Sequence, residues 1–120
     1  IQYALSHPDR WPNQLERLDL GRIGTLTFAQ IDLARYPLLT LALEAGRAAG
    51  TYPAVLCAAD EIAVQTFLSG AIPFTAMPSM IQTVLDAHVN CPEPNLEDIL
   101  EADGWARRVA AGLVAEASPF

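Results

Sequence analysis

Prolines and glycines cut this chain into helix-length pieces. That punctuation constrains its fold more than any other feature. Pro37 opens "PLLTLALEAGRAA", Pro53 opens a stretch running to Ser69, and Pro78 falls in the first turn of "AMPSMIQTVLDAHV". Pro92 and Pro94 precede a final stretch that begins at Asn95 and runs to about Ala117. Proline has no N–H to donate and a preset φ, so it fits the first turn of a helix and breaks the interior. Gly50 and Gly70 suit the stops, because glycine enters the left-handed region without a Cβ clash. Thr75 is a candidate cap for the third helix. Asn95 is the cap of the fourth, with Asp98 three residues on as a shortened capping box.

The apolar spacing agrees with this division. On the last helix Leu96, Ile99, Leu100, Ala106, Ala110, Leu113 and Val114 recur near i, i+3 and i+4, a single stripe. On the third, Met77, Ile81, Val84, Leu85 and His88 share a side. The first two are apolar nearly all round and rich in alanine, which places both in the centre, where small side chains let backbones approach. Short connections make neighbours antiparallel. The reading is a mainly α fold. A four-helix bundle over residues 37–117 leaves a short tail at 118–120.

Residues 1–36 read differently. "IQYALS" is the tail of a helix that His7-Pro8 ends, since a residue before proline avoids the helical region. From His7 to Tyr36 the chain carries Pro8, Pro12, Gly21 and Gly24 with little periodicity. "TLTF" at 25–28 is a short strand or extended segment. So long a connector inside one domain is unusual, and it reads as a strap joining two domains.

Composition excludes several functions. With 120 residues the chain makes one domain with a core, not a dinucleotide-binding domain plus a substrate domain. Its net charge of −7, with seven scattered basic residues, offers no positive patch for nucleic acid or anionic membrane. No apolar run reaches the roughly 20 residues of a membrane span. The start shows neither a signal segment nor an initiating Met, so we expect a chain that begins inside a longer protein. Cys57 and Cys91 are then reduced thiols in the cytoplasm.

The candidate chemical residues do not form a self-sufficient set. Asp60 and Glu61 are adjacent, so on a helix they point about 100° apart and cannot converge on one substrate atom. The bland reading is helix packing or surface. His7, His88, Cys57 and Cys91 match no CxxC, HxxxH or HExxH spacing; His88 near a helix end reads as a cap for terminal carbonyls. Cys57, among alanines in mid-helix, reads as a small core residue. Trp11 and Trp105 read as packing residues, Trp11 anchoring the strap and Trp105 docking a neighbour. Asp103 and Arg107, spaced i, i+4, can pair. There is no nucleophile elbow and no glycine-rich phosphate loop. Besides a structural domain, two readings remain open: a freestanding helical interaction module, and a small metal-dependent hydrolase using Asp60, Glu61 and His88.

Four pieces, in register, carry a resemblance: "IQYALSHPDR", "LDLGRIGTLTFAQIDLARYPLLTLALEAGRAAG", "PAVLCAADEIAVQTFLSGAIPF" and "LEDILEADGWARRVA". They resemble the C-terminal part of the 1-deoxy-D-xylulose 5-phosphate reductoisomerase family. The resemblance implies an enzyme in three parts: an NADPH-binding domain, a catalytic domain and a C-terminal helical bundle. It works in non-mevalonate isoprenoid biosynthesis, and its full length is a homodimer using NADPH and a divalent metal (Mg or Mn). The catalytic, cofactor and metal residues lie upstream, so none is carried onto this chain. The partners implied are the catalytic and NADPH-binding domains of the same enzyme, and the isolated chain is expected to be inactive. The family pattern near residues 57–61 resembles Asn-Ala-Ala-Asn-Glu. Here Cys57 and Asp60 replace both asparagines and Glu61 is kept. The residues expected to matter structurally are Glu61, Asp60, Asp103 and Arg107.

Overall fold

A computed structural model describes residues 1–117, with side chains through residue 115. The tail at 118–120 lies outside the described residues. The described chain is all helical, with no strand. It separates into two units, Ile1–Gln30 and the residues from Ile31 onward.

The first unit holds α1 (Gln2–Ser6) and α2 (Leu20–Ile23). α1 shows that the stretch expected to be helical before His7-Pro8 is helical. α2 is a single turn that periodicity did not reveal. It exists because the Asp19 carboxylate accepts from the Arg22 N–H at 3.1 Å, capping an otherwise weak start. Residues 25–28 form no strand, since no partner strand is present to take their backbone hydrogen bonds. Trp11 does not pack its ring: it is 62% exposed, and its backbone carbonyl accepts from Gln2 Nε2 at 3.3 Å.

The second unit contains α3 (Pro37–Ala48), α4 (Tyr52–Leu68), α5 (Met77–Asp86) and α6 (Leu96–Ala117). A 3₁₀ turn at Phe74–Ala76 leads into α5. Proline stands in the first turn of α3, α4 and α5, as its missing donor requires. Thr75 does not cap α5. The 3₁₀ turn absorbs it, and α5 starts after Ala76 without a side-chain cap. At α6 the capping box forms in both directions: the Asn95 side chain accepts from the Asp98 N–H and the Asp98 side chain accepts from the Asn95 N–H, each at 3.0 Å.

α4 is the central element, packed against α6, α5 and α3. Its buried stripe is Val55, Ala58, Ala59, Ala63 and Thr66. Facing it on α6 are the buried Ala102, Ala106 and Ala110. Alanines on both helices remove the side-chain bulk that would hold the axes apart. Met77, Met80, Ile81, Val84 and Leu85 of α5 fill the rest of the core. The buried Thr66 hydroxyl donates to the Ile62 carbonyl at 2.6 Å, so no polar group is orphaned there.

Three expectations change. α3 is not central: only Leu41 and Ala45 are buried, and Leu43 is 45% exposed, because α3 meets its neighbours along one side. Leu96 and Leu100 are exposed, since the part of α6 that enters the core cluster begins at Ala102. Cys57 is exposed rather than in the core. It lies between the buried positions 55 and 58–59, and a helical step of about 100° turns it outward.

Candidate functional site

Two polar constellations join elements of the second unit, and they are built on opposite principles. The first centres on Thr51, in the tight turn between α3 and α4. The second centres on Arg107 of α6.

Thr51 is 2% exposed yet carries a full set of partners. Its N–H is shared between the Cys91 carbonyl at 3.1 Å and Asn90 Oδ1 at 3.0 Å. In return the Cys91 N–H donates to Thr51 Oγ1 at 3.1 Å. The hydroxyl lies 2.7 Å from His88 Nε2 and 3.2 Å from Asn90 Oδ1. The α3–α4 turn and the α5–α6 turn are therefore laced together, 37 to 40 residues apart in sequence. Gly50 makes the approach possible. Its φ is +63°, and a Cβ there would run into the Cys91 carbonyl oxygen and the Asn90 side chain.

His88 is held in this knot by its ring. Tyr52 meets it edge-on with centroids 5.3 Å apart, and Trp105 of α6 is tilted against it at 5.2 Å. The expectation that His88 caps helix carbonyls through its side chain is not met, because the Thr51 hydroxyl takes its Nε2. Burial lowers the His88 pKa by penalising the imidazolium. The neutral ring bonds Thr51 Oγ1 through Nε2, in a direction set by its tautomer, and Thr51 Oγ1 also accepts from the Cys91 N–H. A groove of about 320 Å³ opens beside the knot, with Trp105, Asp98, Glu101 and Arg108 on its walls.

At the second constellation Arg107 forms a bidentate pair with Asp103, Nε to Oδ2 at 2.8 Å and a terminal nitrogen to Oδ1 at 3.1 Å. Its other terminal nitrogen reaches Glu61 Oε2 of α4 at 2.7 Å. The hydrogen bonds that the guanidinium donates to Asp103 and then to Glu61 raise its pKa still further, which leaves it a permanent cation. The structure thus brings Glu61, Asp103 and Arg107 together. Asp60 does not join them: it is half-buried on the neighbouring face of α4, turned away by the same helical step that separates it from Glu61. The i, i+4 pair was legible in the sequence; its link to Glu61, across two helices, was not.

The other sequence candidates stay apart. His7 belongs to the first unit and meets the Tyr3 ring edge-on at 5.6 Å. Cys57 and Cys91 are free thiols. Among the described residues no three His, Cys, Asp or Glu side chains converge, so these residues do not fit a divalent metal. Among them, too, no helix is long and apolar enough to cross a membrane. Sequence reasoning missed Thr51 and Asn90, and read Gly50 only as a helix stop. The one available signal was a glycine followed by a threonine immediately before a proline-opened helix.

Comparison with known proteins follows the same outline. Residues 1–109 match the family described as DXP reductoisomerase C-terminal domain. The 1-deoxy-D-xylulose 5-phosphate reductoisomerase of Moorella thermoacetica is 57% identical over all 120 residues, which make up 31% of that protein. That of Thermomicrobium roseum is 54% identical over 118 residues, again 31% of its length. Among solved structures, the Zymomonas mobilis enzyme in complex with NADPH superposes with a TM-score of 0.81 at 36% identity, over 93% of this chain and 30% of that one. A DOX-P reductoisomerase in complex with magnesium gives 0.82 at 28% identity, over 98% and 32%. The chain therefore spans about a third of the length of the relatives it matches.

Proposed function

Since this chain belongs to the DXP reductoisomerase C-terminal domain family, we propose that it is the bracing domain of such an enzyme and performs no chemistry alone. Residues 37–117 are the four-helix bundle of that domain, and residues 1–36 are the end of a catalytic-domain helix followed by the connecting strap. The intact enzyme rearranges the carbon skeleton of deoxyxylulose phosphate and reduces the product with NADPH to 2-C-methyl-D-erythritol 4-phosphate. It works in the cytoplasm, as a homodimer, with NADPH and a divalent metal held by residues upstream of this chain. Glu61, Asp60, Asp103 and Arg107 serve structure, not catalysis.

The observation that carries this reading is the combination of 57% identity over the whole chain with coverage of only 31% of the relative. The geometry is consistent with it. The Thr51 and Arg107 constellations satisfy one another's polar atoms across helices, and among the described residues no buried side-chain N or O lacks a partner. Such closed networks hold helices in register. Their contribution to catalysis is a rigid support for the parts that carry the active site.

The test is a pair of assays with one substrate. The 120-residue chain should show no substrate-dependent NADPH oxidation. A chimera in which this chain replaces the corresponding C-terminal part of the Moorella thermoacetica enzyme should turn over. Activity in the chain alone, or none in a folded chimera, would sink the proposal. The alternative of a freestanding interaction module has no observation in its favour.

A further inference from the structure

We propose that α3 is a spring-loaded flap, which pivots at Ala49–Gly50 and swings off α4 and α5 while those two helices and α6 stay packed. Its role rests on the bracing reading above: the bundle keeps a rigid three-helix core and yields at the helix through which the chain enters it.

The pivot is strained. Ala49 has φ +54° and ψ −150°, and Gly50 follows at φ +63°. The Ala49 conformation lies at the edge of a region that is essentially reserved for glycine. The Ala49 side chain is exposed, so its methyl group offsets none of that cost by burial. A residue this far from its preferred dihedrals stays there only when its surroundings hold it. The holder is the knot two residues on. There the Thr51 N–H donates to the Cys91 carbonyl and Asn90 Oδ1, and the Cys91 N–H donates back to Thr51 Oγ1. Strain at Ala49 and hydrogen bonds at Thr51 therefore oppose each other across Gly50.

Packing holds α3 loosely. Of its 12 residues only Leu41 and Ala45 are buried. Two open grooves, of about 380 and 430 Å³, run beside it, each lined by Leu41 and Glu44 of α3 and Gln82 of α5. None of the ion pairs among the described residues reaches α3. The fully buried Val55, Ala59, Ile81, Val84, Ala106 and Ala110 all come from α4, α5 and α6. Release of α3 uncovers few apolar groups, leaves the alanine contact between α4 and α6 in place, and relaxes Ala49. α3 therefore opens at a lower free energy than the core does.

Hydrogen exchange read by mass spectrometry tests this in the chimera, as wild type and as Ala49→Gly. In the wild type, residues 41–48 should open together and be at least ~10-fold less protected than residues 58–66 and 102–110. Ala49→Gly keeps the turn and removes its strain, so protection of residues 41–48 should rise by ~3-fold or more, against the usual penalty for glycine. Exchange confined to the first turn of α3 would be ordinary fraying, in which the pivot does not move, and would overturn the proposal. So would protection of α3 equal to that of the core, or an Ala49→Gly protein whose α3 exchanges at the wild-type rate or faster. The same comparison in the 120-residue chain covers a chimera that does not fold. Failure of the bracing reading is seen separately, as a folded chimera without NADPH oxidation.

Discussion

The Thr51 knot and the Arg107 cluster both tie one helical element to another, but the knot is neutral and centred on a buried residue, whereas the cluster is charged and exposed to water throughout. Thr51 is 2% exposed, whereas the side chains of Arg107, Glu61 and Asp103 are 37%, 58% and 36% exposed. The shorter, charged contacts are the less important for stability. Water already solvates the three ions, screens their attraction and competes for their hydrogen bonds. Thr51 is buried, so a bond removed at its N–H or hydroxyl is poorly replaced by water. Burial, more than charge or distance, ranks these links.

The substitution that breaks the knot most completely is Gly50→Ala. It forces an L side chain into the left-handed region and drives its Cβ into the Cys91 carbonyl. The expected loss is about 2–5 kcal/mol, from strain plus overpacking, read by urea unfolding. A loss under about 0.5 kcal/mol, the range of neutral surface changes, would show that the two turns are not held together as described.

Thr51→Val keeps the shape and removes the hydroxyl. The Cys91 N–H and His88 Nε2 then lose their partner, at a cost of about 1–3 kcal/mol. Wild-type stability in the Thr51→Val protein would place the strength of the knot in its backbone bonds alone.

His88 adds a pH dependence. Its folded pKa lies below the ordinary 6.5, so the unfolded chain binds this proton more readily than the folded one. Stability is full above that value, declines as pH falls through it, and levels off below the folded pKa. Thermal melts from pH 7.5 downward should show the decline in the wild type and a shallower slope in His88→Gln. Identical slopes would assign the acid sensitivity to other groups.

The smallest effect is expected at the charged cluster. Arg107→Met and Glu61→Ala should each lower the melting temperature by less than Thr51→Val does, and 0.5 M salt should shrink the difference further. A larger shift than that of Thr51→Val, or one that salt leaves untouched, would reverse this ranking.

Much of the helical layout was legible because helix ends are matters of local covalent geometry. Pro37, Pro53 and Pro78 remove a donor where none is needed, and Asn95 with Asp98 closes two orphan donors within four residues. The Asp103–Arg107 pair is legible for the same reason, since residues i and i+4 are neighbours on any helix. Local reasoning failed where a weak local preference met a tertiary choice. Cys57 among alanines looked like core, but which face of α4 is covered depends on where α5 and α6 lie. Leu96 and Leu100 continued the stripe of α6 outside the part that enters the core cluster.

The sequence by itself determined the starts of α3, α4 and α6, the inward faces of α5 and of the middle of α6, and the family to which the chain belongs. Only the tertiary structure decided that α4 is central and α3 peripheral, that Arg107 also reaches Glu61, and that Thr51 meets His88, Asn90 and Cys91. The physical reason is range. Dihedral preferences and i, i+4 contacts are settled within one turn of chain. Pairings between residues 37 to 46 positions apart exist only once the packed alanines of α4 and α6 have set how closely the helices approach.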